Sequence, residues 1–400
     1  MHFERDLRGD PLPALAALHG MVQKQGYQDV TLDFRAAGFA SPTFVLPVVA
    51  TCRKYRLEKI DFDIILPEDS KLKKLLLNTN WAHLISPEHF EDRRGLNRSH
   101  ISATQFWTAD DHFKVVDEAL NMMLSCIPGI DRSRLKALEW ALNEITDNVL
   151  NHSASPIGGI VQVVTYPAKS LVEFYVADAG ETIAKTLRQG RPEIPDDTTA
   201  LRKAIEEGVT KNSQTNQGNG LYGTFKCCEV SGGEFMAMSG WVSLHHKPGQ
   251  LQVRRQNIPY PGTFIKAAIK YDYEKLLEKA LVFRGKAHDP GYDYVERIYQ
   301  SDSEALNFKV AEQLQTFGTR ESGRFARTKI VNLMDQNTTP IIMDFEGVHL
   351  ISSSFADEVF GKLFQTLGPL AFGRLCQFQN VDSTVRGLID RAIEQRFKTT

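Results

Sequence analysis

Leu135, Leu138, Leu142, Ile145 and Val149 recur at steps of three and four, an apolar stripe that predicts a helix capped by Asp131 after the Pro128-Gly129 break. Around it the pattern switches between the two periods. Residues 101–106 read as a strand and 110–126 as a helix; 159–166 and 171–177 read as strands. A polar, glycine-containing stretch over 188–219 carries a helix candidate at 198–207. A short helix over 224–230 follows, and strand-like segments at 250–255 and 262–269 close this middle block, roughly residues 99–271.

The flanking blocks alternate strand and helix, which predicts α/β layers. Residues 1–95 offer strands at 29–34 and 60–66 and helices at 41–55 and 70–78. Residues 303–400 offer helices at 322–334, 354–364 and 383–395, with strands at 340–345 and 375–379. The charged run 91–98 reads as a linker, and 272–302 as a second, mixed connection. The outer blocks share a local pattern. Asp33-Phe34 is followed by Ser41, Thr43 and Phe44 at the same offsets at which Asp344-Phe345 is followed by Ser352, Ser354 and Phe355. Duplication explains this, and so does chance convergence on a common strand–loop–helix unit.

Composition adds little to the class and removes some functions. The chain of 400 residues carries 47 basic and 49 acidic residues, interspersed, which argues against a general polyanion-binding surface. The longest apolar stretch, 44–50, is too short to span a bilayer, and the first five residues, Met1-His2-Phe3-Glu4-Arg5, lack an apolar signal core. Five scattered cysteines predict reduced thiols in a cytoplasmic protein.

The candidate chemistry lies in the middle block. Glu144, Asn148 and His152 are spaced four apart, so a helix stacks them along one edge. A carboxamide oxygen suits magnesium, and a carboxylate one turn away can orient or deprotonate a nucleophile. A solvated polar helix edge has the same spacing. Asp178 ends an apolar strand and precedes Gly180. A buried carboxylate there needs a donor, such as an adenine amino group, although Asp-Ala-Gly also makes ordinary turns. Gly218, Gly220 and Gly223 open a helix, where free N–H groups and the dipole favour phosphates. Lys211, just upstream, could reach a terminal phosphate or stay solvated.

In this order, and followed by Gly262-Thr263 on a closing strand, the segments resemble the GHKL (Bergerat-fold) ATPases, and Glu144-x-x-x-Asn148-x-x-x-His152 is most similar to the anti-sigma-factor serine-kinase branch. The resemblance implies ATP and Mg2+ as ligands. It implies Glu144 as the catalytic base, Asn148 as the magnesium ligand and Asp178 with Gly180 as adenine readers. Gly218, Gly220 and Gly223 would form the lid, with Thr263 near the adenine. Glu181-Thr182 stand where many members have a further glycine. His152 belongs to the nucleotide motif, and no separate helix carries a phosphoacceptor histidine, which argues against a conventional histidine kinase.

Residues 341–355, Ile-Ile-Met-Asp-Phe-Glu-Gly-Val-His-Leu-Ile-Ser-Ser-Ser-Phe, resemble STAS-like domains, the anti-sigma-factor-antagonist fold, and Asn380 with the helix after it fits as well. The resemblance places Ser353 and Ser354 where antagonists are phosphorylated; they could equally cap the helix. The chain has Ser-Ser-Ser-Phe where antagonists usually have Asp-Ser-Ser-Gly. The N-terminal block is read as a diverged relative, with Thr43 at the equivalent place. The expected architecture is therefore a central GHKL two-layer α/β sandwich with a STAS-like α/β domain on each side. The expected function is phosphoryl transfer or hydrolysis in a partner-switching system with a STAS or sigma/anti-sigma-like protein, or self-association. An ATP-gated switch without kinase activity, or a scaffold, is the rival.

Overall fold

The computed structural model describes residues 1–3, 6–93, 100–209, 220–283, 285–288, 291, 293–300, 304–314, 316–335 and 338–398. The fold is mixed α/β with several sheets, as the alternating periods predict. Two compact units form, one from Met1–Ala119 with Ala137–Asp289, the other from Leu120–Lys136 with Pro290–Thr400.

The first unit is organised by a five-stranded antiparallel sheet in the order His100–Phe106, Gly159–Tyr166, Leu171–Asp178, Gln250–Lys270, Glu234–Lys247. Leu171–Asp178 sits at the centre and is buried along almost its whole length, which explains its continuous apolar run. Strand alternation sends Tyr175 and Ala177 to one face and Phe174 and Val176 to the other. The first face shares one core with the N-terminal block: Tyr175, Ala177, Ile160 and Phe264 cluster with Leu46, Val49, Phe62 and Trp81. Trp81 also donates its indole N–H to Gln162 Oε1 at 2.8 Å. The predicted stripe Leu135, Leu138, Leu142, Ile145 and Val149 is buried throughout on the helix Arg132–Asn148.

Two differences from the sequence pattern occur here. Residues 250–255 and 262–269 belong to one strand, Gln250–Lys270, and its partner Glu234–Lys247 was not anticipated. That partner is interrupted by Gly240, which is left-handed (φ 57°), and the register slips on both sides of it. Such a bulge breaks the alternation by which a strand is read. The glycine-led helix is also longer than expected. It begins at Gly220 and runs to Val230.

Within the second unit, three parallel strands lie in the order Leu306–Lys309, Ile341–Asp344, Cys376–Gln379. Helices Arg320–Leu333 and Ser383–Phe397 flank them. The helix expected over 354–364 begins at Ser353, widens into a π turn over Asp357–Gly361 and continues to Leu375 across a kink at Gly368-Pro369. Asn332 clamps the turn that precedes residue 132: its Nδ2 donates to the carbonyls of Leu124 (2.8 Å) and Ile127 (2.7 Å), and its Oδ1 accepts from Gly129 N (2.9 Å).

Each outer block, taken by itself, has the same local backbone pattern. Asp29–Asp33 pairs in parallel with Asp61–Ile65, as Ile341–Asp344 pairs with Cys376–Gln379. Phe34 N bonds Ile65 O and Phe345 N bonds Gln379 O, both at 3.0 Å. Asp33 Oδ1 accepts from Arg35 N and Asp344 Oδ1 from Glu346 N, again both at 3.0 Å. Ala37 N reaches Phe34 O and Val348 N reaches Phe345 O, both at 2.9 Å. The shared sequence offsets are thus matched by a shared loop conformation.

Candidate functional site

The helix Arg132–Asn148 brings Glu144 and Asn148 to the same edge and then widens into a π turn over Val149–Ser153, which holds His152. A single π turn inside a helix is a frequent companion of functional sites. The Asn148 side chain makes no hydrogen bond with any described residue, and the amide is half-buried. The Thr186 hydroxyl, on the helix Ile183–Gly190, donates to the His152 carbonyl at 3.4 Å.

Glu144 is mostly buried. Burial, reinforced by the neighbouring Asp147 carboxylate, pushes its pKa up to about 7. It lies under the start of the glycine-led helix, where a Cβ on Gly220 would come within 2.2 Å of Glu144 Oε2. A side chain at that position would force the Glu144 carboxylate to shift from its place beside the first turn of the helix. Gly223 serves packing here: a Cβ would meet the Trp140 ring at 2.1 Å. Thr224 ties this helix to Arg132–Asn148, its hydroxyl donating to Ala141 O at 3.4 Å. Gly218 and Lys211 lie outside the described residues.

Asp178 closes the central strand at 2 % exposure. Its Oδ1 accepts from Gly180 N at 2.8 Å and Thr263 N at 3.3 Å, so three of the expected site residues meet at one carboxylate. Burial outweighs those two donors and pushes its pKa up to about 7. No described residue donates to Oδ2. Gly180 is pressed against the end of the π turn, where a Cβ would stand 2.0 Å from Ser153 O, and Glu181 N bonds that carbonyl at 2.5 Å. The strand-end carboxylate and the end of the Glu144–Asn148 helix are therefore tied together through Ser153.

Sequence reasoning missed the supporting residues. Ser155 Oγ accepts from Ala179 N at 3.2 Å, Tyr260 donates its hydroxyl to Asp178 O at 2.9 Å, and Ser239 Oγ lies 3.1 Å from Thr263 Oγ1. The signal for Ser155 and Tyr260 was the Ser-, Pro- and Gly-containing runs 153–158 and 260–263. Among the described residues, no group of three or more His, Cys, Asp or Glu side chains could hold a metal ion.

In the C-terminal region Ser352, not Ser353 or Ser354, caps the helix: its Oγ accepts from Phe355 N at 3.0 Å. Ser354 Oγ is 3.0 Å from Ser352 Oγ, Ser353 is exposed, and Asn380 Nδ2 donates to Asp344 Oδ1 at 2.9 Å. A family model described as the STAS-like domain of unknown function (DUF4325) matches residues 323–386. The C-terminal region carries a STAS-like α/β domain. The match runs from inside the Arg320–Leu333 helix to the first turn of Ser383–Phe397, so it spans the middle strand Ile341–Asp344, the edge strand Cys376–Gln379 and the Ser352 cap of the STAS-like domain. No curated protein and no solved structure matches the chain. In the N-terminal block, Thr43 lies beside the Tyr175 hydroxyl of the central strand. No described helix is long and apolar enough to cross a membrane, and all five cysteines are free.

Proposed function

We propose that residues 99–271 bind Mg-ATP in the manner of a GHKL ATPase and that the bound nucleotide regulates a protein partner through STAS-like domains at 303–400 and, in diverged form, 1–95. One observation carries this reading. A buried carboxylate, Asp178, keeps one oxygen without a protein donor at the strand end, beside the backbone of Gly180 and Thr263 and tied to the end of the helix that bears Glu144 and Asn148. An exocyclic adenine amine supplies the missing donor for Oδ2. Asn148 would hold the magnesium ion, which neutralises phosphate charge when bound. Glu144, whose pKa burial raises to about 7, would accept a proton from the attacking hydroxyl or water. Gly218 and Gly220 would close over the phosphates, with Lys211 as a candidate cation.

In the kinase form of the reading, the acceptor is Ser353 or Ser354 of the STAS-like domain, or a serine or threonine on a STAS or sigma/anti-sigma-like partner. A second form has its own support. Glu144 is enclosed against Gly220 and is half protonated near pH 7, which suits slow hydrolysis and an ATP-gated switch. Mass spectrometry of the full chain after incubation with Mg-ATP separates them. Phosphate on Ser353, Ser354 or a co-purified partner, lost in Glu144→Gln, supports transfer; released phosphate with unmodified protein supports the switch. Absence of saturable ATP binding by calorimetry in magnesium buffer would sink both.

A further inference from the structure

The first unit holds a second cleft, of about 680 Å³, whose lining includes none of Asp178, Gly180 and Thr263. Its walls are the start of the helix Asp197–Ala204 and the bulged part of the Glu234–Lys247 and Gln250–Lys270 ribbon. The bulge is what shapes it. Gly240 is left-handed and packs close to Thr182 and Asp197, and the ladder resumes only at Val242, opposite Arg255. Val242 and Trp241 both line the cleft; Val242 is buried, while Trp241 stays 44 % exposed. A tryptophan held open by a backbone irregularity offers a flat apolar surface that the core does not use.

Charge is arranged around that ring. Arg188 is already bound to Asp197 at 2.5 Å. Asp196 is occupied as a helix cap, accepting from Thr199 N at 2.8 Å and from the Thr199 hydroxyl at 3.2 Å. Arg202 and Arg255 line the same cleft, are exposed, and pair with no acid among the described residues. The local acids are spent on other partners, and two guanidinium groups remain beside an open indole. Guanidinium forks bind phosphate or carboxylate bidentately, and an indole face stacks on planar rings.

We infer that this cleft is a binding site for a small planar anion of mononucleotide size, its ring on Trp241 and its phosphate or carboxylate on Arg202 and Arg255. The size of the cleft falls in the range of small-molecule sites. Its lining shares no residue with the candidate ATP site.

Calorimetric titration of the full-length Asp178→Asn protein tests the inference, since that background weakens adenine recognition at the other site. The probe is AMP, with adenosine as the ring without charge and inorganic phosphate as the charge without ring. The expected result is saturable binding of one AMP per chain, at least tenfold tighter than either control. Trp241→Ala and the Arg202→Ala/Arg255→Ala double variant should each weaken it at least tenfold. Because all three side chains are exposed, these variants are expected to fold, which circular dichroism verifies. No saturable AMP binding, or binding unchanged in both variants, overturns the inference. So does binding of an oligothymidylate through the same residues when AMP fails, which would make the cleft a single-stranded nucleic-acid contact.

Discussion

Asp178→Asn should raise stability and weaken ATP binding at the same time. The aspartate is buried at the end of the central strand, and burial lifts its pKa from the ordinary 3.8 to about 7. The folded chain therefore holds this proton more tightly than the unfolded chain. The contribution to stability is complete below about pH 4, declines as the pH rises through 7, and is absent above it. The gap corresponds to roughly 4 kcal/mol of differential interaction between the two protonation states. Asparagine keeps the acceptor for Gly180 N and Thr263 N but carries no charge. Urea unfolding at pH 8 should show the variant more stable by about 2–4 kcal/mol, and at pH 4.5 the gain should shrink to about 1 kcal/mol. The same substitution puts an N–H₂ group where Oδ2 stood. A donor then faces the adenine amine, and loss of a charge-assisted hydrogen bond of about 1.5–3 kcal/mol weakens ATP binding roughly 10- to 100-fold. A variant less stable than its parent at pH 8 would refute the burial argument; one that binds ATP as tightly as its parent would refute the assignment of Asp178.

If Glu144 is the base, ATP turnover should rise with pH to half its plateau near pH 7 and lie about tenfold below the plateau at pH 6, while Glu144→Gln should lose roughly 10²- to 10⁴-fold at every pH; steady-state phosphate release measures both. Gly220→Ala drives a methyl group into the space of Glu144 Oε2, 2.2 Å away, and should cut turnover at least tenfold with a smaller effect on ATP affinity, as calorimetry and turnover assays together would reveal. Asn332→Ala removes three hydrogen bonds to the 124–129 turn, two of them buried, and leaves their partners unsatisfied. The second unit should lose about 3 kcal/mol, read as a lower transition in scanning calorimetry.

Much of the architecture follows from the order of residues alone. The stripe from Leu135 to Val149 could bury itself only as a helix, because only a period near 3.6 puts those side chains on one face. The run 171–177 had to be a doubly covered strand, and the Asp-Phe, Ser, Phe spacing repeated at 33–44 and 344–355 carried a common loop with it. The bulged strand from Glu234 was hidden, because Gly240 breaks its periodicity and its geometry is set by what packs against it. Chemistry divides the same way. Spacing placed Glu144 beside Asn148, but nothing local could say that Gly220 would open a space for that carboxylate or that Ser153 would meet Gly180. Nor could it say that Arg202 and Arg255 would be left without acids beside Trp241. Periodicity is a property of neighbours in the chain, whereas desolvation, close backbone approach and ion pairing are decided between residues far apart in it, and only the folded chain brings those together.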